Sequence, residues 1–415
     1  MHTLFLTLTL LCSLSSYATQ QPPYACVTGD WARSTLASLT LREKIGQLFV
    51  VATTSCFEQQ EEVLAASLFK CAYKMDPDHI NQLITDYHIG GLIFLYKSTP
   101  ELQIAATNAY QERSHIPLLI AQDCEWGLSM RLYNTLEFPK NNLLGKIADK
   151  QLIYAMGNEV GRQCKALGVH LNCAPVVDVC NNPNNKLLQK RAFGDNPELV
   201  AHAGLLMMRG LQDAGIIACA KHFPGHGDTS VDSHTNLPCI THAREHLEQI
   251  ELVPFKHLID HGVSAVMLAH LAVPALEPET HHPSSLSYAI TTQLLEQELN
   301  FTGLKITDGL GMGALTKHYA PGIIELEAFL AGNDILLCPL DVPRAVELIE
   351  NAVLSNRVSI EDLDRRVLKI LYAKEWAGCH TLTPLDIQEA LTQLNTTEGK
   401  ALKELLDSEV ANLAK

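Results

Sequence analysis

Eight short apolar runs, separated by stretches of helical periodicity, constrain the fold of this 415-residue chain more than any other feature. They fall at 47–52, 91–95, 117–122, 170–177, 216–220, 263–269, 303–307 and 334–338. Each is almost continuously apolar, the pattern of a strand covered on both faces; a strand with one wet face alternates instead. Helical signals fill the gaps. Thr40-Leu41-Arg42-Glu43 forms a capping box, with the hydroxyl and the carboxylate each placed to satisfy a free N–H of the first turn. Ala148 to Leu167 puts Leu152, Met156, Val160 and Leu167 on one stripe and stops at Gly168. Asn196-Pro197 pairs an N-cap with a first-turn proline and opens a helix reaching about Ala214. Pro343–Ser355 and Ile360–Trp376 are further amphipathic helices. Strand followed by helix, eight times over, predicts an α/β fold: a (β/α)8 TIM barrel, with an open doubly wound sheet as the alternative. We expect one barrel domain over 30–378 and a short C-terminal helical extension over 379–415.

Composition narrows the class of partner. With 47% hydrophobic and 19% charged residues the chain can fold around a large core. Its net charge is −15 and Lys and Arg nowhere cluster, which argues against nucleic acid and anionic membrane surfaces. Residues 1–18 read as a signal peptide: Leu4 to Leu14 is a short apolar region and Ser16-Tyr17-Ala18 a small-x-small cleavage site, although Met1-His2-Thr3 lacks Lys and Arg. The apolar region is too short to span a bilayer. An exported, periplasmic or cell-envelope protein is therefore expected, monomeric and without a transmembrane helix in its mature form; a cytoplasmic location is the alternative. Of the 12 cysteines, Cys173, Cys219 and Cys338 lie in strand-like runs and read as small buried apolar groups. Cys56 and Cys71 flank a polar loop and are candidates for a disulfide.

The ends of the runs are chemically asymmetric. The third ends in Asp123-Cys124-Glu125, with Arg131 soon after, and the fourth in Asp178, leading through an Asn-rich loop to Arg191. The fifth is followed by Lys221-His222-Phe223-Pro224-Gly225-His226-Gly227-Asp228-Thr229 and then Asp232-Ser233-His234. The sixth ends in His270 and the seventh in Asp308. The opposite ends carry mostly Gly, Pro or apolar residues. A parallel barrel places its reactive groups at the C-terminal ends of its strands, so this asymmetry predicts a catalytic cleft there.

Lys-His-Phe-Pro-Gly-His-Gly-Asp-Thr with Asp-Ser-His after it, Thr307-Asp308-Gly309-Leu310-Gly311-Met312, Pro283-Ser284-Ser285-Leu286-Ser287 and Leu41-Arg42-Glu43-Lys44-Ile45-Gly46-Gln47-Leu48-Phe49 resemble glycoside hydrolase family 3 over roughly residues 36–375. More closely, they resemble its bacterial single-domain β-N-acetylglucosaminidases (β-hexosaminidases) of peptidoglycan recycling. The resemblance implies a retaining exo-β-N-acetylglucosaminidase that removes non-reducing terminal N-acetylglucosamine from muropeptide-like fragments through a covalent glycosyl-enzyme, without metal or cofactor. It implies Asp308 as nucleophile and His234 as acid/base, with Asp232 orienting the imidazole. Asp123, Arg131, Arg191, Lys221 and His222 match sugar-binding positions, where forked and multiple donors suit hydroxyls and an acetamide. Met312 would line the pocket, with a core methionine as the alternative reading. Two departures are visible: Gly309 stands where relatives carry a second acidic residue, and Cys124-Glu125-Trp126-Gly127 where they tend to have Glu-Gly-Gly.

Other readings of the same residues remain. Glu125 or Asp228 is a reserve acid if His234 is not the proton donor. A metal-dependent TIM-barrel hydrolase or amidase would use His222, His226, Asp228 and His234 as ligands, though Phe223-Pro224-Gly225 prevents the helix that presents an His-x3-His pair. A non-catalytic sugar-binding barrel is the third.

Overall fold

The computed structural model describes residues 19–55, 73–277, 279, 281–381 and 383–413. The expected signal peptide and the Cys56–Cys71 pair lie outside the described residues. Cys26, Cys124, Cys164, Cys173, Cys180, Cys219, Cys239 and Cys379 are free thiols.

All eight apolar runs form strands: β1 Phe49–Thr53, β2 Gly91–Phe94, β3 Leu119–Gln122, β4 Leu171–Asn172, β5 Ile217–Phe223, β6 Ala265–Leu268, β7 Leu304–Thr307 and β8 Leu336–Leu337. Every strand residue is buried, as continuous apolar runs require. Neighbours are parallel in the order β7-β6-β5-β4-β3-β2-β1-β8. A bridge between Ile306 and Ile335, with the Thr307 N–H donating to the Ile335 carbonyl at 3.0 Å, joins the two ends. The sheet is a (β/α)8 barrel.

Two strands depart from expectation. β4 is far shorter than 170–177, because Pro175 has no N–H for a ladder and Asn172 turns its side chain to the Cys124 N–H at 2.9 Å. Beyond β4 single backbone hydrogen bonds continue, from Cys173 N–H to the Gln122 carbonyl and from Cys219 N–H to the Ala174 carbonyl, and Val176 bridges Lys221. β5 runs on to Phe223, so Lys221 and His222 sit on the strand itself and inherit its rigidity.

The helices start where their caps predict. The Thr40 and Glu43 side chains satisfy each other's backbone N–H groups, and Asn196 accepts from Leu199 N–H at 2.9 Å. The helices Gln151–Ala166 and Pro197–Asp213 cross closely at Gly210, where an added Cβ would lie 2.3 Å from the Tyr154 carbonyl oxygen. Beyond the Ile360–Trp376 helix, Ile387–Thr392 and Thr397–Asn412 pack on the outside of the barrel. The Asn108 amide ties this segment down by bonding both the N–H and the carbonyl of Leu385, each at 2.9 Å.

Candidate active site

At the C-terminal ends of the strands lies a cavity of about 230 Å³, the size of one sugar ring. Its polar wall is Asp123, Glu125, Arg131, Arg191, Lys221 and His222; Asp308 and His234 line it too. Its apolar wall includes Ile93, Leu95, Met267, Met312 and Leu337. Every substrate-binding residue expected from the sequence reaches this cavity, as do two of the three expected catalytic ones. Asp232 stands behind His234.

The polar wall is a continuous charge network. Lys221 Nζ bonds Asp123 Oδ1 at 2.9 Å and pairs with Glu125 Oε1 at 3.0 Å. Arg131 caps the other Asp123 oxygen. Arg191 grips the wholly buried Glu125 with two nitrogens, the shorter contact at 2.7 Å. Burial alone would push both carboxyls up, but Lys221 and Arg131 hold Asp123 well below the usual range, and Arg191 and Lys221 bring Glu125 down to about 2. In this wall the Glu125 carboxylate is the shared partner of two cations. Behind the wall, the buried Asp178 accepts from His222 Nδ1 at 2.7 Å and from the His226 N–H at 2.7 Å.

The other side of the cavity is built by two loops. Asp308 follows β7; its N–H reaches across to the Leu268 carbonyl and its Oδ1 accepts the Gly309 N–H at 2.7 Å. Burial raises its carboxyl, yet the nearby His222 and His270 with the Gly309 N–H outweigh that and keep it below its ordinary value. His270 is wholly buried; it donates through Nε2 to the Gly309 carbonyl at 2.9 Å and accepts at Nδ1 from Ser285 at 2.7 Å. On the β5 loop, Asp232 Oδ1 accepts both the His234 N–H at 2.9 Å and His234 Nδ1–H at 2.6 Å. The two loops are stitched together: Gly313 N–H donates to the His234 carbonyl and Ala314 N–H to that of Ser233, each at 3.1 Å. Only glycine allows this approach, since a Cβ at 313 would sit 2.6 Å from the His234 oxygen.

The remaining polar groups of the β5 loop are otherwise engaged. His226 bonds Thr229 at 2.7 Å and Ser233 at 3.2 Å, and Asp228 holds His242. Asp228 does not line the cavity and is not available there as an acid. The four side chains of the metal reading thus turn to separate partners, and among the described residues no three His, Cys, Asp or Glu are grouped to hold a metal ion. Tyr73 escaped the sequence reading. Its hydroxyl accepts the Gly311 N–H at 3.0 Å; a Cβ at Gly309 would lie 3.2 Å from that hydroxyl and one at Gly311 2.4 Å from the Tyr73 ring. Tyr73 thus packs beside the residue after Asp308. Met130, Leu187 and Ser233 also line the cavity unannounced, being loop residues with no periodic signal.

The glycosyl hydrolase family 3 N-terminal domain matches residues 40–373. The chain belongs to glycosyl hydrolase family 3. Within the family it is 33% identical over 366 residues to beta-hexosaminidase A of Pseudoalteromonas piscicida, covering 81% of this chain and 60% of that protein. It is 30% identical over 352 residues to the beta-hexosaminidase LpqI of Mycobacterium tuberculosis, covering 81% of this chain and 84% of LpqI. Among solved structures it resembles a family 3 β-N-acetylglucosaminidase from Paenibacillus sp. str. FPU-7, with a TM-score of 0.77, 36% identity, and coverage of 90% of this chain and 69% of that one. The chain spans 60% and 62% of the length of two of its curated family 3 relatives, the Pseudoalteromonas enzyme and a β-N-acetylglucosaminidase/β-glucosidase of Cellulomonas fimi.

Proposed function

We propose that this family 3 chain is a retaining exo-β-N-acetylglucosaminidase acting on non-reducing terminal N-acetylglucosamine of muropeptide-type fragments. One observation supports it above all: Asp308 and His234, on loops after different strands, line the same sugar-sized cavity. Asp308, held as a carboxylate, attacks the anomeric carbon as the bond to the leaving oxygen breaks. His234 gives the leaving oxygen its proton and then takes one from the water that releases the sugar. Asp232 accepts from Nδ1–H, which leaves Nε2 as the nitrogen that exchanges the proton. The charged wall suits ring hydroxyls, and the apolar wall of Ile93, Leu95 and Met267 suits an acetamide methyl. A cavity of one ring's volume favours removal of a terminal sugar over cleavage inside a chain. In this reading residues 30–378 are the catalytic unit, 379–415 an external brace and 1–18 an export signal, and the reaction calls for no cofactor.

The test is turnover of a chromogenic N-acetyl-β-glucosaminide, with NMR identifying the anomer first released, with and without phosphate. The β-anomer from the wild-type protein and no turnover by a folded Asp308→Ala variant are expected. Wild-type rates in that variant, or release of the α-anomer into water, would overturn the assignment. A sugar phosphate formed only when phosphate is present would redirect it to phosphorolysis.

A further inference from the structure

Asp178 belongs to neither of the two reacting loops, yet it bonds the strand that reads the sugar. It has zero exposure. Its Oδ1 accepts the backbone N–H of His222 at 3.3 Å and of His226 at 2.7 Å, and its Oδ2 lies 2.7 Å from His222 Nδ1. The other ring nitrogen of His222, Nε2, stands 3.3 Å from an Arg191 nitrogen that can only donate. A proton on Nε2 would set two donors against each other at Arg191. A bare Nδ1 would set a lone pair against the Asp178 carboxylate. Both clashes vanish in one arrangement alone, with the proton on Nδ1 and the lone pair on Nε2.

We infer that Asp178 is a positioning residue: it fixes His222 as the Nδ1–H tautomer, so that the single Nε2 lone pair, which accepts from Arg191 in the free protein, can accept from a sugar hydroxyl in its place. This rests on the proposed glycosidase reading for its kinetic consequence, though not for the tautomer itself. The wall built by Lys221, Arg131 and Arg191 is rich in donors, and His222 supplies a neutral acceptor among them. A hydroxyl that accepts from one of these cations can then donate to Nε2, which satisfies both of its roles.

Asp178→Asn tests this with little change of shape. Oδ1 must remain an oxygen, because two backbone N–H groups point at it. The amide nitrogen therefore replaces Oδ2 and donates to Nδ1, which drives the proton to Nε2. In ¹⁵N spectra, with the His222 signals assigned by their loss in His222→Gln, the wild-type protein should show a protonated Nδ1 and a bare Nε2. Asp178→Asn should show the reverse. Its kcat/KM on the chromogenic sugar should fall by about 10- to 100-fold, mainly through KM, as expected for one lost hydrogen bond in a buried polar site. Three results would overturn the inference: a wild-type Nε2–H tautomer, an unchanged tautomer in the variant, or a switched tautomer with unchanged KM. A lowered melting temperature with unchanged tautomer and kinetics would mark Asp178 as structural only, and also overturns it. Should the variant not fold, the wild-type spectrum decides alone. Failure of the wild-type protein to cleave the sugar would sink the proposed activity, while the spectrum still judges the tautomer.

Discussion

At the scale of single residues, environment sorts chemically similar groups into different tasks. Glu125 and Asp308 both line the cavity, but Glu125 is locked by Arg191 and Lys221 at about 2, whereas the Asp308 carboxylate bonds only the N–H of its neighbour among the contacts described above. The first is a fixed charge in a wall; the second is suited to attack. Histidines divide in the same way. His234 keeps a carboxylate at Nδ1, whereas His226 is buried between two hydroxyls and burial pushes its imidazole down to about 4. His170, whose Nδ1 accepts the Ile120 N–H, is likewise brought to about 4 by burial. Such groups leave a signature in stability. Between their ordinary 6.5 and about 4 the unfolded chain takes up protons that the folded chain refuses, so stability is full above the window and falls as pH drops through it. The slope is about 1.4 kcal/mol per pH unit for each such group. Urea unfolding of the wild-type protein and of His226→Gln between pH 7 and 4.5 checks this: the variant should lose about one group's share of the slope. Equal slopes would show that His226 takes its proton as readily folded as unfolded.

At the scale of elements, the site is an agreement between loops that the strands merely hold in place. The hydrogen bonds from Gly313 and Ala314 to His234 and Ser233 fix how far the Asp308 segment lies from the β5 loop. Gly313→Ala forces those backbones apart, since its Cβ would begin 2.6 Å from an oxygen that cannot swing aside. We expect kcat to fall by about 10²-fold, the usual consequence of displacing a reacting group by an ångström, with a melting temperature that moves by only a few degrees. Unchanged kcat would mean that this contact does not set the spacing. The reach of sequence reasoning follows the same division. Asp123, Asp178, Lys221, His222, His270 and Asp308 were legible because a strand's end is marked by the change from continuous apolar residues to a polar one. The pairing of Glu125 with Arg191 was not, because sixty-odd residues separate them and no periodicity links their loops. Tyr73 was not legible for the same reason, although its hydroxyl bonds the Asp308 loop at Gly311. β4 was overestimated because apolar composition reports burial, while Pro175 and the Asn172 side chain decide whether the backbone can pair.

At the scale of the whole molecule, eight parallel strands of few residues each bring segments from most of the chain to one end of the barrel. In the cavity Arg131, Arg191 and Lys221 face Asp123, Glu125 and Asp308, three cations against three carboxylates, so the net charge of −15 is not concentrated there. A balanced cavity admits an uncharged ring without attracting free anions or cations, in keeping with a sugar. Among the described residues no helix is long and apolar enough to cross a membrane. In the proposed reaction the Asp308 carboxylate forms a bond to the sugar while His234 serves the departing and arriving oxygens. Its most direct test is to incubate the protein with a fluorinated N-acetylglucosaminyl donor that slows release, digest it, and locate the added mass by mass spectrometry. One N-acetylglucosaminyl group on the peptide containing Asp308, at that carboxylate, is the predicted result; an adduct on any other side chain, or steady turnover with inversion and no adduct, would contradict it.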